Sequence, residues 1–366
     1  MSTMATARQQ VFEKYLKLDQ PDDQVFCTYI FVDGLLENLR SKMRVLSYEP
    51  KTPEECPMST FCGMGTFQWP DADVDSELFL APVALFRDPF LGGRNKLVLC
   101  EVLNSDHQPN ETNTRRPCKK AMEAAKDEDP WFGIEQEYVI LERNGVPIGW
   151  PEDKQALKRG RDYFYAVGPD NIAGRMIADA HIKACAYAGV KLYGSNPEAF
   201  LSQWEYQIGP LPGVEAGDHL WISRYILQRV AEDFDVTISL EPVPFKIDPL
   251  PGGSGHINFS TKTSRCEGGL EWIKKALHKL ELRHEQHLAA YDPRNDQSND
   301  DRLHRGLNAT PRREFLAGFS SKMVCVRVPR QTELDGRGYI EDRRPGANVE
   351  PYRAMQALVQ TLVLEN

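Results

Sequence analysis

The sequence contains no long apolar run, no block of basic residues and no Cys-x-x-Cys pair. Its longest nearly apolar stretch, residues 78–86, is less than half of the roughly 20 residues that a membrane-spanning helix needs, and Pro82 interrupts it. The 44 basic residues are outnumbered by 53 acidic ones, which gives a formal net charge of −9. We therefore expect no membrane-embedded segment and no nucleic acid as the main partner.

The first residues have neither the basic and apolar segments nor the small-residue cleavage site of a secretory signal. The eight cysteines are scattered along the chain, which fits reduced, buried thiols better than a disulfide framework or a zinc site. Both features are typical of a cytoplasmic protein, and this is the location that we expect.

The beginning of the chain predicts a helix followed by a hairpin. Apolar residues at helical spacing over 7–18 predict an N-terminal helix, which we place within residues 1–23. A β-branched and aromatic run over 25–33 is followed by a turn and by apolar and basic alternation over 39–46. This pattern is typical of a β-hairpin, and it predicts a small β-sheet domain.

A wholly polar segment, residues 104–113, has the composition of a linker. We therefore expect the small domain to span 24–110 and a second domain to span 111–366. The second region alternates short strands with helices and contains no internal repeat, which favours a single mixed α+β domain. Its main helices are predicted over 172–188, 219–233, 267–291 and 351–364.

Two glutamates stand out in a predicted strand over 131–140. Side chains alternate across a strand, so Glu135 and Glu137 point to the same face. One interpretation is the solvated face of an edge strand. The residues around them are mostly apolar, however, and buried like charges are costly unless a cation balances them. Glu198 and Glu205, the latter flanked by aromatic residues, extend this acidic set.

A small-residue loop that begins at Gly252 precedes a strand in which His256, Asn258 and Ser260 share one face by the same alternation. A histidine in such a place is often purely structural, and a short glycine run alone is weak evidence for phosphate binding. Further on, Glu341 lies two positions before the first of two paired arginines. These arginines suit phosphate or carboxylate oxygens, although an internally paired surface loop fits the pattern equally well.

Taken together, these segments resemble the glutamine synthetase family of the eukaryotic (type II) class over about residues 24–364. Motifs in the family's order and near its spacing are Phe86-Arg-Asp-Pro-Phe90, Trp131-Phe-Gly-Ile-Glu-Gln-Glu-Tyr138, Gln203-Trp-Glu-Tyr-Gln-Ile-Gly-Pro210, Asn258-Phe-Ser-Thr-Lys262 and Glu341-Asp-Arg-Arg-Pro345. The resemblance implies an α+β fold with a small N-terminal β-grasp domain. A catalytic domain with a curved antiparallel sheet flanked by helices follows it.

The resemblance also implies roles for individual residues. The ligands for Mg²⁺ or Mn²⁺ would be Glu135, Glu137, Glu198, Glu205, His256 and Glu341. The nucleotide pocket would be lined by Trp131, Pro210, Asn258, Ser260, Arg265, Arg327 and Tyr339. The amino-acid substrate would be held by Arg302, Arg343 and Gly252, together with Glu135 and His256. Arg302, Lys322, Arg327 and Arg343, with Met64 and Asn308, occupy the family's catalytic positions.

In the family's reaction, the γ-carboxylate of glutamate attacks the terminal phosphate of ATP, and ammonia then displaces phosphate from the acyl phosphate. The resemblance therefore implies glutamate or an analogue, ATP and an amine as ligands. It also implies a homo-oligomer, a decamer of two stacked pentamers. Each active site in such a ring lies between one subunit's small domain and its neighbour's catalytic domain.

The sequence departs from the family where the amine binds. The family's Asp-Gly-Ser-Ser-Thr is replaced by a stretch that begins at Met64, and the glutamate of its flap is replaced by Asn308. Neither residue can act as the missing base. Lys322 replaces an arginine that steadies the transferring phosphoryl group, and Pro251 replaces an asparagine before the glycine loop.

Three hypotheses follow. The first is an ATP-dependent carbon–nitrogen ligase whose amine is not ammonia, since Met64, Phe67 and Leu307 offer apolar surface there. The second is an ordinary glutamine synthetase in which Asp71, Asp73 or Asp75 replaces the lost aspartate. The third is an inactive protein that binds nucleotide and metal and has a regulatory or structural role, co-assembling with an active paralogue.

Overall fold

The computed structural model describes residues 14–69, 76–151, 162–245, 252–294, 298–305 and 314–365. Most of the helix predicted over 7–18 lies outside these residues, and 14–16 are helical. The described residues contain two β-sheets and a set of helices, so the predicted α+β class is confirmed. No described helix combines the length and the apolar character needed to cross a bilayer.

The smaller sheet has five strands, which are β1 (Val25–Val32), β2 (Leu39–Leu46), β3 (Ser59–Cys62), β4 (Glu77–Arg87) and β5 (Lys96–Leu103). Their order across the sheet is β2-β1-β5-β4-β3, and β1 and β5 form the parallel pair. β1 and β2 confirm the predicted hairpin.

The central strand β5 is buried on both faces, and six of its eight residues are apolar, the exceptions being Lys96 and Glu101. Leu97 and Leu99 on one face join the main core of the molecule, while Val98, Cys100 and Val102 on the other face join a smaller core inside the sheet domain. The two sheets therefore share part of one core. The domain boundary near residue 110 stays a prediction.

The larger sheet has eight strands, which are β6 (Trp131–Leu141), β7 (Leu192–Pro197), β8 (Gln203–Pro212), β9 (Thr237–Ser239), β10 (Gly255–Ser260), β11 (Ala317–Phe319), β12 (Val326–Val328) and β13 (Ile340–Asp342). Seven of them follow the order β11-β12-β13-β10-β6-β8-β7, and β9 also pairs with β6. All pairs are antiparallel except β11 with β12.

The described α-helices are α1 (Arg115–Ala124), α2 (Arg175–Ala188), α3 (Glu215–Asp233), α4 (Lys262–Arg265), α5 (Gly269–Leu282), α6 (His284–Tyr291), α7 (Ser298–Arg305), α8 (Arg330–Asp335) and α9 (Pro351–Val359). Short 3₁₀ turns lie at Pro53–Glu55, Gly63–Thr66 and Lys126–Glu128. Helix α3 is the most deeply buried, and Leu220, Trp221 and Ile226 on it are inaccessible to solvent.

Two helix predictions need correction. The helix predicted over 267–291 is two helices, since Arg283 (φ −110°, ψ 17°) ends α5 and precedes α6. The helix predicted over 351–364 is α-helical only to Val359 and continues as a π-helix over Gln360–Leu364. The apolar periodicity runs through both junctions, so it could not reveal either change.

Candidate active site

The register of the larger sheet gathers the predicted metal ligands on one face. Glu135 and Glu137 alternate with the buried residues Ile134, Gln136 and Tyr138 on β6, so the two glutamates share one face, as the sequence predicts. On one side of β6, His256 of β10 lies opposite Glu135. On the other side, Glu205 of β8 lies opposite Glu137. Glu341 of β13 pairs in register with Asn258, whose side chain also reaches Glu135.

Glu137, Glu198 and Glu205 form the first of two groups, which we call the carboxylate trio. One carboxylate oxygen from each lies within 4.8 Å of the others. Each residue is no more than 8% exposed. The Ser254 backbone N–H donates to Glu137 Oε2 (3.0 Å), and Asn196 donates to Glu198 Oε1 (2.9 Å).

The electrostatics of the carboxylate trio favour a bound cation. Burial raises the pKa of Glu137 to about 7. Burial and the charges of Glu135 and Glu137 raise the pKa of Glu205 to about 8. Burial and the charges of Glu137 and Glu205 also raise the pKa of Glu198. None of the ion pairs between described residues involves the trio. Convergent carboxylate oxygens of this kind fit Mg²⁺ or Mn²⁺.

Glu135, His256 and Glu341 form the second group, the mixed trio, whose ligand atoms also lie within 4.8 Å of one another. His256 Nδ1 is 3.3 Å from Glu135 Oε2 and 3.5 Å from Glu341 Oε1. Burial and the nearby Arg343 lower the pKa of His256 well below its usual value. The imidazole is therefore neutral, which is the form that binds metals.

Two arginines flank the mixed trio. Arg327 Nε and Arg343 Nη1 (2.6 Å) both donate to the carboxylate of Glu341. The Nε–H of Arg343 is buried and has no acceptor among the described residues. A guanidinium with an unpaired buried donor fits an incoming carboxylate or phosphate oxygen.

Arg302 lies behind the glycine loop and is already well bonded. Its Nε donates to Asn299 (2.9 Å) and its Nη1 donates to Ser254 Oγ (3.1 Å). Its Nη2 donates to backbone carbonyls of residues 343–345, the shortest being that of Arg344 (2.6 Å). A Cβ on Gly252 would approach Arg302 Cγ to 3.0 Å. Arg302 therefore fixes the backbone that carries Arg343.

Among the residues predicted for a nucleotide, Asn258 and Arg327 contact the mixed trio, and Trp131, Ser260 and Arg265 lie together. Trp131 is 36% exposed, and the guanidinium of Arg265 lies 4.7 Å from its ring centroid. Arg265 also donates to Ser260 Oγ (2.9 Å). Asn258 donates to Glu135 (3.0 Å), and its Oδ1 is buried without a partner among the described residues. Tyr339 is 40% exposed, and Pro210 is also exposed.

At the positions where the family binds the amine, the structure describes only some of the residues. Met64 and Phe67 are 59% and 60% exposed on the smaller sheet domain. Lys322 is exposed, yet its charge opposes the rise in the pKa of Glu198 and Glu205, so it lies near the carboxylate trio. The other positions singled out here lie outside the described residues, and these are Asp71, Asp73, Asp75, Pro251, Leu307 and Asn308.

Sequence reasoning missed the amide side chains around the carboxylate trio. Gln203 donates to Glu137 Oε2 (2.9 Å) and to the Gly252 carbonyl (2.8 Å), so it joins the trio to the glycine loop. Gln207 donates to Glu205 and to Asn196 Oδ1. Both glutamines lie two positions from Glu205, and this spacing was a signal that could have found them.

Comparisons with known proteins agree on one family. Residues 111–267 match the model of the glutamine synthetase catalytic domain. The chain is 46% identical to a glutamine synthetase from Xenopus laevis, covering 97% of this chain and 89% of the frog protein. It is 44% identical to one from Gallus gallus, covering 100% and 97%. A cryo-electron microscopy structure of a Plasmodium falciparum glutamine synthetase shares the fold, with TM-score 0.74, 15% identity and coverage of 96% and 74%.

Proposed function

Since the chain belongs to the glutamine synthetase family, we propose that it makes a γ-glutamyl phosphate and then an amide from an amine other than ammonia. It is an ATP-dependent ligase that uses Mg²⁺ or Mn²⁺. The proposal rests on a contrast between the metal ligands and the amine position. Both trios are complete, whereas exposed Met64 stands where the family has an aspartate.

In the proposed site, the carboxylate trio and the mixed trio would each hold one divalent cation. Such ions neutralise phosphate oxygens while a phosphoryl group is transferred. The amide donors of Gln203, Gln207 and Asn196 keep the carboxylates of the first trio oriented. Outer partners of this kind fix the direction of ligand oxygens.

The first half-reaction needs glutamate and ATP held in line. The buried Nε–H of Arg343 is suited to a substrate carboxylate, with Gly252 and Arg302 shaping the same wall. Trp131 and Arg265 would offer a flat surface for the base, and Arg327, which lies beside Glu341, would bind phosphate oxygens. A γ-carboxylate oxygen would attack the terminal phosphorus, and the bond to ADP would break.

The second half-reaction needs an amine that loses a proton as it displaces phosphate. Neither Met64 nor Asn308 carries a negative charge for an ammonium ion or can take its proton at neutral pH. Met64 and Phe67 instead present apolar side chains, which suit the hydrocarbon part of an organic amine. The proton would then go to solvent or to phosphate.

We further propose a ring of identical subunits, a decamer of two stacked pentamers, built from domains over 24–110 and 111–366. The exposed apolar side chains of Met64 and Phe67 support a site that a neighbouring subunit completes. A monomer by light scattering would contradict this part of the proposal.

Phosphate release from ATP with glutamate and a panel of amines tests the proposal. We expect stimulation by at least one organic amine that exceeds stimulation by ammonium. Stimulation by ammonium at rates ordinary for such ligases would favour an ordinary glutamine synthetase with its acid supplied by Asp71, Asp73 or Asp75. No stimulation by any amine, with nucleotide binding intact, would favour an inactive relative with a regulatory or structural role.

A further inference from the structure

Strand β13 and the two residues after it carry two acid–arginine pairs on opposite faces. Glu341 and Arg343 face the mixed trio and are joined by a 2.6 Å hydrogen bond. Asp342 and Arg344 face the core, where both side chains are fully buried. The register agrees, because Asp342 lies opposite Ile257 on β10, a residue that is inaccessible to solvent.

The core-facing pair is fixed by helix α6. Arg344 donates to both oxygens of Asp342, at 2.9 Å from Nε and 2.6 Å from Nη2. The Tyr291 hydroxyl donates to Asp342 Oδ2 (2.7 Å), and the Arg344 guanidinium lies 5.4 Å from the centroid of the Tyr291 ring. A buried carboxylate is thereby held from two directions at once.

The hydrogen bonds of Tyr291 continue to the C-terminal π-helix. Because Tyr291 gives its only proton to Asp342, His287 Nδ1–H must donate to Tyr291 Oη (2.6 Å). His287 Nε2 then accepts from Thr361 Oγ1 (2.9 Å). Burial and the charge of Arg344 lower the pKa of His287 to about 3, so this neutral tautomer is the form present.

We propose that Tyr291 is a positioning residue for the mixed trio, acting through Asp342 on Glu341 and Arg343. The inference rests on the proposed function, because it requires the mixed trio to hold a metal ion. Successive side chains of a strand point to opposite faces, so fixing the Asp342 side chain in the core also restricts the backbone and side-chain positions open to Glu341. Outer partners that orient metal ligands typically change metal affinity 10- to 100-fold when they are removed.

The chain offers a matched control. Tyr352 donates to Asp218 (2.6 Å), and Arg115 donates to both oxygens of the same carboxylate (2.8 Å each). This is the same Tyr–Asp–Arg arrangement, with a buried tyrosine and aspartate and a partly buried arginine, but Asp218 lies on helix α3 rather than beside a metal ligand. Tyr352→Phe removes the same hydroxyl from the same chemical setting.

Titration with Mn²⁺ followed by electron paramagnetic resonance tests the inference. In the wild type we expect two classes of site, and Glu205→Gln identifies the carboxylate trio by removing one of them. Tyr291→Phe should weaken the remaining class, the mixed trio, about tenfold or more and leave the carboxylate trio unchanged. It should also raise the KM for glutamate more than the KM for ATP. Tyr352→Phe should lower the melting temperature comparably without either effect.

The outcomes are distinguishable. Three results would overturn the inference. Tyr291→Phe could weaken Mn²⁺ binding equally at both classes of site, Tyr352→Phe could weaken the mixed trio as much as Tyr291→Phe does, or neither variant could weaken Mn²⁺ binding. Absence of Mn²⁺ binding by the wild type would overturn the proposed function and the inference with it. If Tyr291→Phe does not fold, Thr361→Val breaks the far end of the same chain of hydrogen bonds. It should weaken only the mixed trio, and an unchanged mixed trio would overturn the inference.

Discussion

Glu137 and Glu205 lie directly opposite each other on the neighbouring antiparallel strands β6 and β8, and both are buried. Like charges in that position destabilise a sheet. No described lysine or arginine forms an ion pair with either of them. The pair is therefore an arrangement that a divalent cation would stabilise, and it links the sheet's register to the proposed chemistry.

The first prediction concerns metal and stability. Mg²⁺ or Mn²⁺ should stabilise the protein by about 2.7 kcal/mol at a hundredfold excess over the dissociation constant. Thermal melting with and without metal measures this shift. Glu205→Gln should melt no lower than the metal-free wild type, because it removes a buried repulsion, and it should lose most of the shift. Absence of a shift in the wild type with either metal and ATP present would remove the basis for both trios.

The second prediction concerns the substrate carboxylate. Arg343→Lys should raise the KM for glutamate about 10- to 100-fold, because a lysine lacks the Nε–H and the fork of the guanidinium. The KM for ATP should change little. Arg330→Lys, at an exposed arginine of helix α8, serves as the control. An unchanged KM for glutamate would place the substrate elsewhere.

The third prediction concerns Lys322. Its ammonium should support phosphoryl transfer as a point charge, so Lys322→Met should lower ATP turnover with glutamate about 10²-fold. Lys322→Arg should equal or exceed the wild type, because it provides two parallel donors. Equal rates for the methionine variant and the wild type would show that this position no longer takes part in the reaction.

The fourth prediction concerns the amine pocket. Met64→Asp combined with Asn308→Glu should raise the use of ammonium about 10²- to 10⁴-fold, the range for a positioned base, and lower the use of the organic amine. Met58→Asp, at another exposed methionine of the small sheet domain, should do neither. If the double variant stays inactive with every amine, the lost step cannot be attributed to these two acids.

The sequence alone predicted part of the acidic set but not the amide side chains around it. The alternation of β6 is enough to place Glu135 and Glu137 together, and the strands around it follow from β-branched and aromatic runs. The division into two trios could not be predicted, because it depends on strand order and register. His256 joins Glu135 and Glu205 joins Glu137 only because β10 and β8 flank β6.

Long-range contacts account for the remaining differences. Helix α6 begins after Arg283, and this second helix places Tyr291 against Asp342, which lies 51 positions after Tyr291. No local periodicity reports such a contact. The placement of Gln203 between Glu137 and Gly252 likewise joins three segments that are distant in sequence.

Competition between amines in one reaction tests the central claim most directly. The protein is incubated with ATP, glutamate, Mg²⁺, ammonium and a panel of organic amines at equal concentrations, and the γ-glutamyl products are quantified by mass spectrometry. We predict that a γ-glutamyl amide of an organic amine accumulates in excess over glutamine. Glutamine as the dominant product would contradict the account and identify the protein as an ordinary glutamine synthetase.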